Sequence, residues 1–329
     1  MVWLQFVLSA AVIAAAAIKL AEYGDAIAYR TRLGGMFVGT LLVAGATSLP
    51  ELLTVINAIQ QGHANLTAGD LFGSGMFNML LLGLLGLVFF RKRLLRRVAT
   101  RHALAASLAV LLTGMAVFFL IADIDLRIGW VGVDSLLLIA TYVGGVGLIR
   151  GNTSGTQIEE TTEEDLSTLP SLRRAAIGFA IAALVLVLTT PWLVRSASQI
   201  AEITGLGTGF VGLLLVATVT SLPELVATLT AVRVGAYDMA VGNLFGSNVF
   251  NMFALGIADL VYTQGRFLGA ISPVFALAGM LAVLLTTLGL VGNLARLQRR
   301  IWIVEIDALL LVLVYLGGMR LLYQRGVGG

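Results

Sequence analysis

The 329-residue chain has no cysteine, five prolines, two histidines and only 12% charged residues. Without cysteine there is neither a disulfide framework nor a thiolate metal site. His63 and His102 fall at predicted loop or helix-end positions, which leaves an imidazole-based metal or catalytic centre without ligands. The shortage of charge excludes an ordinary soluble domain, in which about 25% of residues are charged and about 45–50% apolar. Here 58% are hydrophobic and the mean hydropathy is +0.96. Such a composition belongs in a lipid bilayer. The formal net charge of +3 points to no particular partner. Its densest basic run, Arg91, Lys92, Arg93, Arg96, Arg97 and Arg101, abuts a predicted membrane-spanning end and reads as a topology signal, not as a nucleic-acid patch.

What the chain does have is long apolar sequence. At about 20 apolar residues per crossing, ten helices are predicted, near 4–28, 36–60, 67–90, 102–121, 128–149, 173–198, 208–232, 240–262, 271–293 and 301–320. The expectation is an all-α integral membrane protein with no length left for a soluble catalytic domain. The first positive charge is Lys19, so the first segment lacks the basic start of a signal peptide and reads as a retained helix. With the loops numbered in order, the odd ones carry fifteen basic residues, and the even ones with the tails carry five. Odd loops are therefore expected to face the cytoplasm, with both termini outside.

The long polar stretch, 150–172 (RGNTSGTQIEETTEEDLSTLPSL), reads as a cytoplasmic acidic linker. Its carboxylates, Glu159, Glu160, Glu163, Glu164 and Asp165, lack the alternating spacing and the glycine of a calcium loop. The linker separates residues 1–149 from 173–329, each predicted to hold five helices. Five is odd, so the second set enters the bilayer from the opposite side. That is an inverted repeat, an arrangement of secondary transporters.

Two sequence blocks support a duplication. FVGTLLVAGATSLPEL (37–52) and FVGLLLVATVTSLPEL (210–225) agree at 13 of 16 positions, and GDLFGSGMFNM (69–79) and GNLFGSNVFNM (242–252) at 8 of 11, both at a constant offset of 173 residues. Each first block sets a Pro-Glu pair in an apolar run. A carboxylate at membrane depth costs about 2.5–3.5 kcal/mol even on the lenient insertion scale, so Glu51 and Glu224 are read as functional. Ala44, Thr47, Ser48 and Glu51 recur at spacings that stack them on one helix face, as do Ala217, Thr220, Ser221 and Glu224. Pro50 and Pro223 lack an amide hydrogen and are expected to break the helix, freeing the carbonyls of Ala46 and Val219. In the second blocks, Asp70, Ser74 and Asn78, and likewise Asn243, Ser247 and Asn251, form polar stripes beside small glycines. The combined donor set is hard oxygen, which suits calcium, sodium or magnesium.

Other ionisable residues are weaker candidates. Lys19, Glu22 and Asp25 read as an interfacial ion-pair cluster, as do Glu305 and Asp307 after Arg299 and Arg300. Asp134 and Asp259 are read as lacking duplicated counterparts. Asp70 lies on the site stripe near the predicted outer end of its helix, as ligand or as access-path anion.

GATSLPE with GDLFGSGMFN, and TVTSLPE with GNLFGSNVFN, resemble the two alpha-repeats of the sodium/calcium exchanger family, within the cation/calcium antiporter superfamily. The resemblance is close over the repeat blocks and looser over the ten-helix layout. It implies calcium binding at Glu51 and Glu224, helped by Thr47 and Thr220. It also implies sodium sites at Ala44, Ser48, Ser74, Ala217, Ser221 and Ser247, with amides at Asn78 and Asn251. Some relatives, including potassium-dependent ones, carry aspartate where this chain has Asn251. Asp70 replaces the asparagine usual at its place.

The expected function is exchange of calcium for sodium by alternating access at a midplane site. Calcium and sodium are transported ions, and no cofactor is expected. One chain holds both repeats, so no obligatory protein partner is expected beyond the lipid bilayer. A prokaryotic inner membrane is the expected location. Two alternatives stay open: coupling of calcium or another divalent cation to protons, and, from a different class, a cation channel lined by the same oxygens. An enzyme is the weakest reading, since no Ser-His or paired-Asp protease motif accompanies the acids.

Overall fold

The computed structural model describes residues 1–31, 45–89, 102–153, 170–233, 235–294, 300–301 and 304–327. In the first half these form α1 (Val2–Thr31), α2 (Leu49–Gln60), α3 (Ala64–Val88), α4 (Ala103–Ala122) and α5 (Val133–Thr153). The second half contains α6 (Leu172–Thr204), α7 (Thr208–Thr220), α8 (Leu222–Arg233), α9 (Tyr237–Val261), α10 (Phe275–Leu294) and α11 (Ile306–Gln324). Seven helical stretches are long and apolar enough to cross a membrane, and the bent pair α7 and α8, meeting at 42°, makes an eighth if it is one span. Residues 133–149 form a shorter apolar helix, and the predicted span 36–60 falls in part outside the described residues. The linker residues 154–169 and Ala44 also lie outside them.

The helix boundaries keep the sequence register. Leu49 and Gln60 bound α2 as Leu222 and Arg233 bound α8, and Ala64 and Val88 bound α3 as Tyr237 and Val261 bound α9, each pair 173 residues apart. The register also includes two small hairpins that the hydrophobic pattern hid. β1 (Arg127–Ile128) pairs antiparallel with β2 (Val131–Gly132), and β3 (Arg300–Ile301) with β4 (Val304–Glu305). The helices predicted to start at 128 and 301 therefore start at Val133 and Ile306. Val and Ile suit a strand as well as an apolar helix, and Gly129, at φ 67°, supplies the turn. The same register corrects the reading of Asp134: its counterpart is Asp307. Each follows a hairpin at the second residue of its helix, and each accepts from the next amide, at 2.7 Å from Ser135 and 3.0 Å from Ala308.

Packing divides the helices into two groups. α1 and the 33-residue α6 lie along one another and share an apolar core with the first turns of α7, through Leu20, Leu186, Leu193 and Val216. At 1.5 Å per residue α6 is roughly 50 Å long, more than a bilayer's hydrocarbon core. The larger core joins α3, α4, α9, α10 and α11 around Phe72, Phe245, Phe267 and Phe275. Large apolar side chains on α1 and α6, such as Leu4, Leu184 and Leu188, are exposed, the opposite of a water-facing surface.

At one end of the bundle a buried charge cluster ties the α4–α5 connection to the α9–α10 connection. The Arg266 guanidinium donates to Asp134 at 3.1 Å and to the Ile124 carbonyl at 2.9 Å, and pairs with Asp123. Asp259 accepts from the amides of Gly132 and Phe267 at 2.5 Å each. On α1, Lys19 and Glu22 form an exposed pair at 2.6 Å.

Candidate cation site

The chain breaks where the prolines require it. Ser48 and Ser221 sit in a turn between helical pieces, followed by α2 and α8 with proline in the first turn, where a missing amide hydrogen costs no helical bond. These breaks place Glu51 and Glu224 in the first turns of α2 and α8, both essentially without solvent exposure. Upstream of the second break the chain forms one turn of π-helix, Gly212–Val216, a feature the sequence did not suggest.

The two halves meet reciprocally. Ser48 donates to Glu224 Oε1 at 2.8 Å, and Ser221 donates to Glu51 Oε1 at 3.2 Å. Each glutamate is thus held by the serine that precedes the other glutamate by one turn. Ser247 adds a bond to Glu224 Oε1 at 3.1 Å. Thr47 donates to Asn243 Oδ1 at 3.4 Å, while its counterpart Thr220 donates to Asp70 Oδ1 at 2.9 Å and lies 3.4 Å from Ser74 Oγ. The reciprocity is that of a two-fold relation between the halves.

Of the twelve site residues read from sequence, Ala44 lies outside the described residues. Thr47, Ser48, Glu51, Ser74, Asn78, Ala217, Thr220, Ser221, Glu224, Ser247 and Asn251 are all buried. Side-chain hydrogen bonds join Ser48, Ser247 and Glu224, join Ser221 and Glu51, and join Ser74 and Thr220; Thr220 also bonds back to the Ala217 carbonyl at 3.3 Å. Asn251 is buried with neither amide atom bonded. The reason lies in a residue the sequence reading passed over, Asn248. Its Oδ1 accepts from Asn78 at 2.9 Å and its Nδ2 donates to the Gly75 carbonyl at 3.2 Å. Gly75 is Asn248's own register counterpart, so Asn251 meets no equivalent amide. The difference between GSG and GSN was the available signal.

Among the described residues, several buried oxygens have no hydrogen-bond partner: Oε2 of Glu51 and of Glu224, Oδ2 of Asp70, and Oδ1 of Asn78 and of Asn251. Buried acceptors left unpaired are costly, and a cation between the two glutamates would satisfy their open oxygens. Among the described residues no three acidic or histidine side chains gather as a metal cluster. A cation held by one or two carboxylates would take its other ligands from hydroxyl, amide and backbone oxygens, which is a coordination calcium and sodium accept.

An apolar helical bundle around a buried, oxygen-lined charge site describes a multi-pass membrane protein that handles cations. The chain belongs to the sodium/calcium exchanger protein family, whose profile matches residues 1–149 and 174–323. Membership places it among the cation/calcium antiporters. It is 28% identical over 314 residues to CaxA of Alkalimonas amylolytica, covering 92% of each chain. It is 29% identical over 231 residues to the inner membrane protein YrbG of Escherichia coli K12, covering 69% of each. A shorter stretch of 78 residues is 41% identical to the sodium/calcium exchanger MaX1 of Methanosarcina acetivorans, covering 23% of this chain and 22% of that one. In fold it is similar to the sodium-calcium exchanger NCX_Mj, with a TM-score of 0.62 at 22% identity over 97% of this chain and 99% of that one. It is also similar to the H+/Ca2+ exchanger CAX, with a TM-score of 0.66 at 13% identity over 99% of this chain and 89% of that one.

Proposed function

We propose that the protein exchanges calcium for sodium across a membrane by alternating access, with Glu51 and Glu224 as the shared carboxylates for both ions. Thr47, Thr220, Ser48, Ser221, Ser74, Ser247, Asn78, Asn251 and the carbonyls of Ala44 and Ala217 complete the ion ligands. The observation that carries this reading is the reciprocal pair of bonds from Ser48 to Glu224 and from Ser221 to Glu51. It supports one site built equally by both halves, so that a relative movement of the halves would expose that site to one side or the other.

The coupling follows from charge. Two carboxylates in a poorly solvated place repel each other, and an empty site is unfavourable to carry across. One calcium ion or several sodium ions neutralise it, and both compete for the same oxygens. If only the neutralised site switches, uptake of one ion requires release of the other. The proposed frame is ten spans in two inverted halves, 1–149 and 173–329, joined by a cytoplasmic linker at 150–172, with both termini outside a prokaryotic inner membrane.

The test is calcium uptake into sodium-loaded proteoliposomes. The expected result is uptake that disappears when internal sodium is replaced by choline. Uptake that persists without sodium and follows a pH gradient would establish proton coupling instead. Flux far above carrier turnover, seen as single-channel currents, would make the protein a channel.

A further inference from the structure

We infer that Asp70 supplies a further sodium site that has no counterpart around Asn243, with Thr67 and Thr220 as its neighbouring ligands. This rests on the exchange reading above and adds to it an ion ligand outside the shared pair of glutamates.

Asp70 has no solvent exposure. One carboxylate oxygen accepts from Thr220 at 2.9 Å, and the other has no partner among the described residues. Among the described residues no lysine, arginine or histidine pairs with it, in contrast to Asp134, which has Arg266. One turn earlier on the same face of α3, the Thr67 hydroxyl is also fully buried and unpartnered. Two hard oxygens are thus left open on adjacent turns of a helix.

The second half lacks this arrangement. The register counterpart of Asp70 is Asn243, whose amide donates to Thr228 Oγ1 at 3.4 Å and whose Oδ1 accepts from Thr47. Thr228 corresponds to Val55, and Thr67 corresponds to Ala240. A satisfied neutral pair in one half is replaced by an unsatisfied carboxylate, with an added hydroxyl, in the other. Packing alone does not account for that exchange, because an unpaired buried carboxylate is penalised heavily unless a cation or a proton neutralises it.

The surroundings favour a small monovalent ion. Backbone approaches closely here: a Cβ on Gly212 would lie 2.6 Å from the Leu66 carbonyl, which leaves no room for side chains between α3 and the π-helical turn of α7. Such single π-turns collect at functional sites. The local set is one carboxylate and two hydroxyls with nearby carbonyls, whereas calcium takes six to eight oxygens, usually with more than one carboxylate. Thr220 links this place to the main site, since it bonds Asp70 and lies just before the break that precedes Glu224.

The experiment compares wild type with Asp70→Asn, which installs the residue of the other half, in proteoliposomes. Two fluxes are read: calcium-for-calcium exchange without sodium, and the sodium-to-calcium ratio from the calcium gradient that balances a set sodium gradient. Asp70→Asn should keep calcium-for-calcium exchange within about twofold of wild type, lower the coupling ratio by one sodium, and raise the half-saturating sodium concentration by about tenfold, equivalent to about 1.4 kcal/mol. Thr67→Ala, the other half's residue in kind, should raise half-saturation by a smaller factor and serves if Asp70→Asn does not fold. An unchanged ratio and unchanged sodium dependence in both variants overturns the proposal, as does loss of calcium-for-calcium exchange in folded Asp70→Asn. If the wild type itself shows calcium-for-calcium exchange with no response to sodium, it is the sodium reading of the whole protein that fails.

Discussion

Among the described residues, Glu224 accepts hydroxyl hydrogen bonds from Ser48 and Ser247, whereas Glu51 accepts one from Ser221, at the longer distance of 3.2 Å. Ser74, the counterpart of Ser247, lies instead beside Thr220, which is itself turned to Asp70. Ser74 is thus turned to the threonine that bonds Asp70 and not to Glu51, whereas Ser247 bonds Glu224 directly. A duplicated site need not stay even: one aspartate in place of asparagine changes which oxygens remain open for an ion, while helix boundaries and backbone breaks keep their register.

The largest effects should come from the residues that the halves share. Glu51→Gln and Glu224→Gln should each reduce calcium exchange by more than about a hundredfold, because a neutral amide cannot offset a divalent charge in a buried place. Both proteins should remain folded by size-exclusion profile. Near-normal flux in either one would break the equivalence of the halves.

Next comes the charge cluster at the bundle end. Arg266→Met leaves Asp134 without its guanidinium and should destabilise the protein by about 3–5 kcal/mol. Thermal unfolding in detergent measures this. Arg93, the register counterpart of Arg266, lies outside the described residues; an equal loss in Arg93→Met would make the tie a property of both halves.

A subtler difference separates the two serines. Ser221→Ala removes the side-chain hydrogen bond that Glu51 accepts, whereas Ser48→Ala leaves Glu224 its bond from Ser247. At about 1.5–3 kcal/mol for a hydrogen bond to a charged group, apparent calcium affinity should fall at least about tenfold in Ser221→Ala and less in Ser48→Ala. The reverse order, read from calcium-dependent flux, would contradict the unevenness described here. The smallest effect is expected at the exposed Lys19–Glu22 pair, where Lys19→Ala should change stability by less than about 1 kcal/mol and flux not at all.

Much of this arrangement is legible in the residues. The offset of 173 located both Pro-Glu pairs and both polar stripes, because buried acids and prolines are rare in apolar sequence and stand out when repeated. Less visible were features that depend on contacts across the repeat. Nothing local to Ser48 says that it binds Glu224 and not its own half's Glu51. Asn248 was missed because its counterpart is glycine, and a search for matching residues passes over places where the repeat differs. Asp134 and Asp307 match at the same offset, but outside the conserved-looking blocks, where a match of single residues carries little weight. The hairpins before α5 and α11 were read as helix because Ile, Val and Trp give the same apolar signal in either form.

The meeting of Asn248 with Gly75 has a consequence for how such a molecule arises. A homodimer of two identical half-length chains would put the same side chain on both sides of the axis, giving either two amides in one space or a void where none reaches. Only once there are two copies of such a half can one keep the bulk and the other surrender it. The centre of this protein therefore records a step that identical self-assembling halves could not have taken.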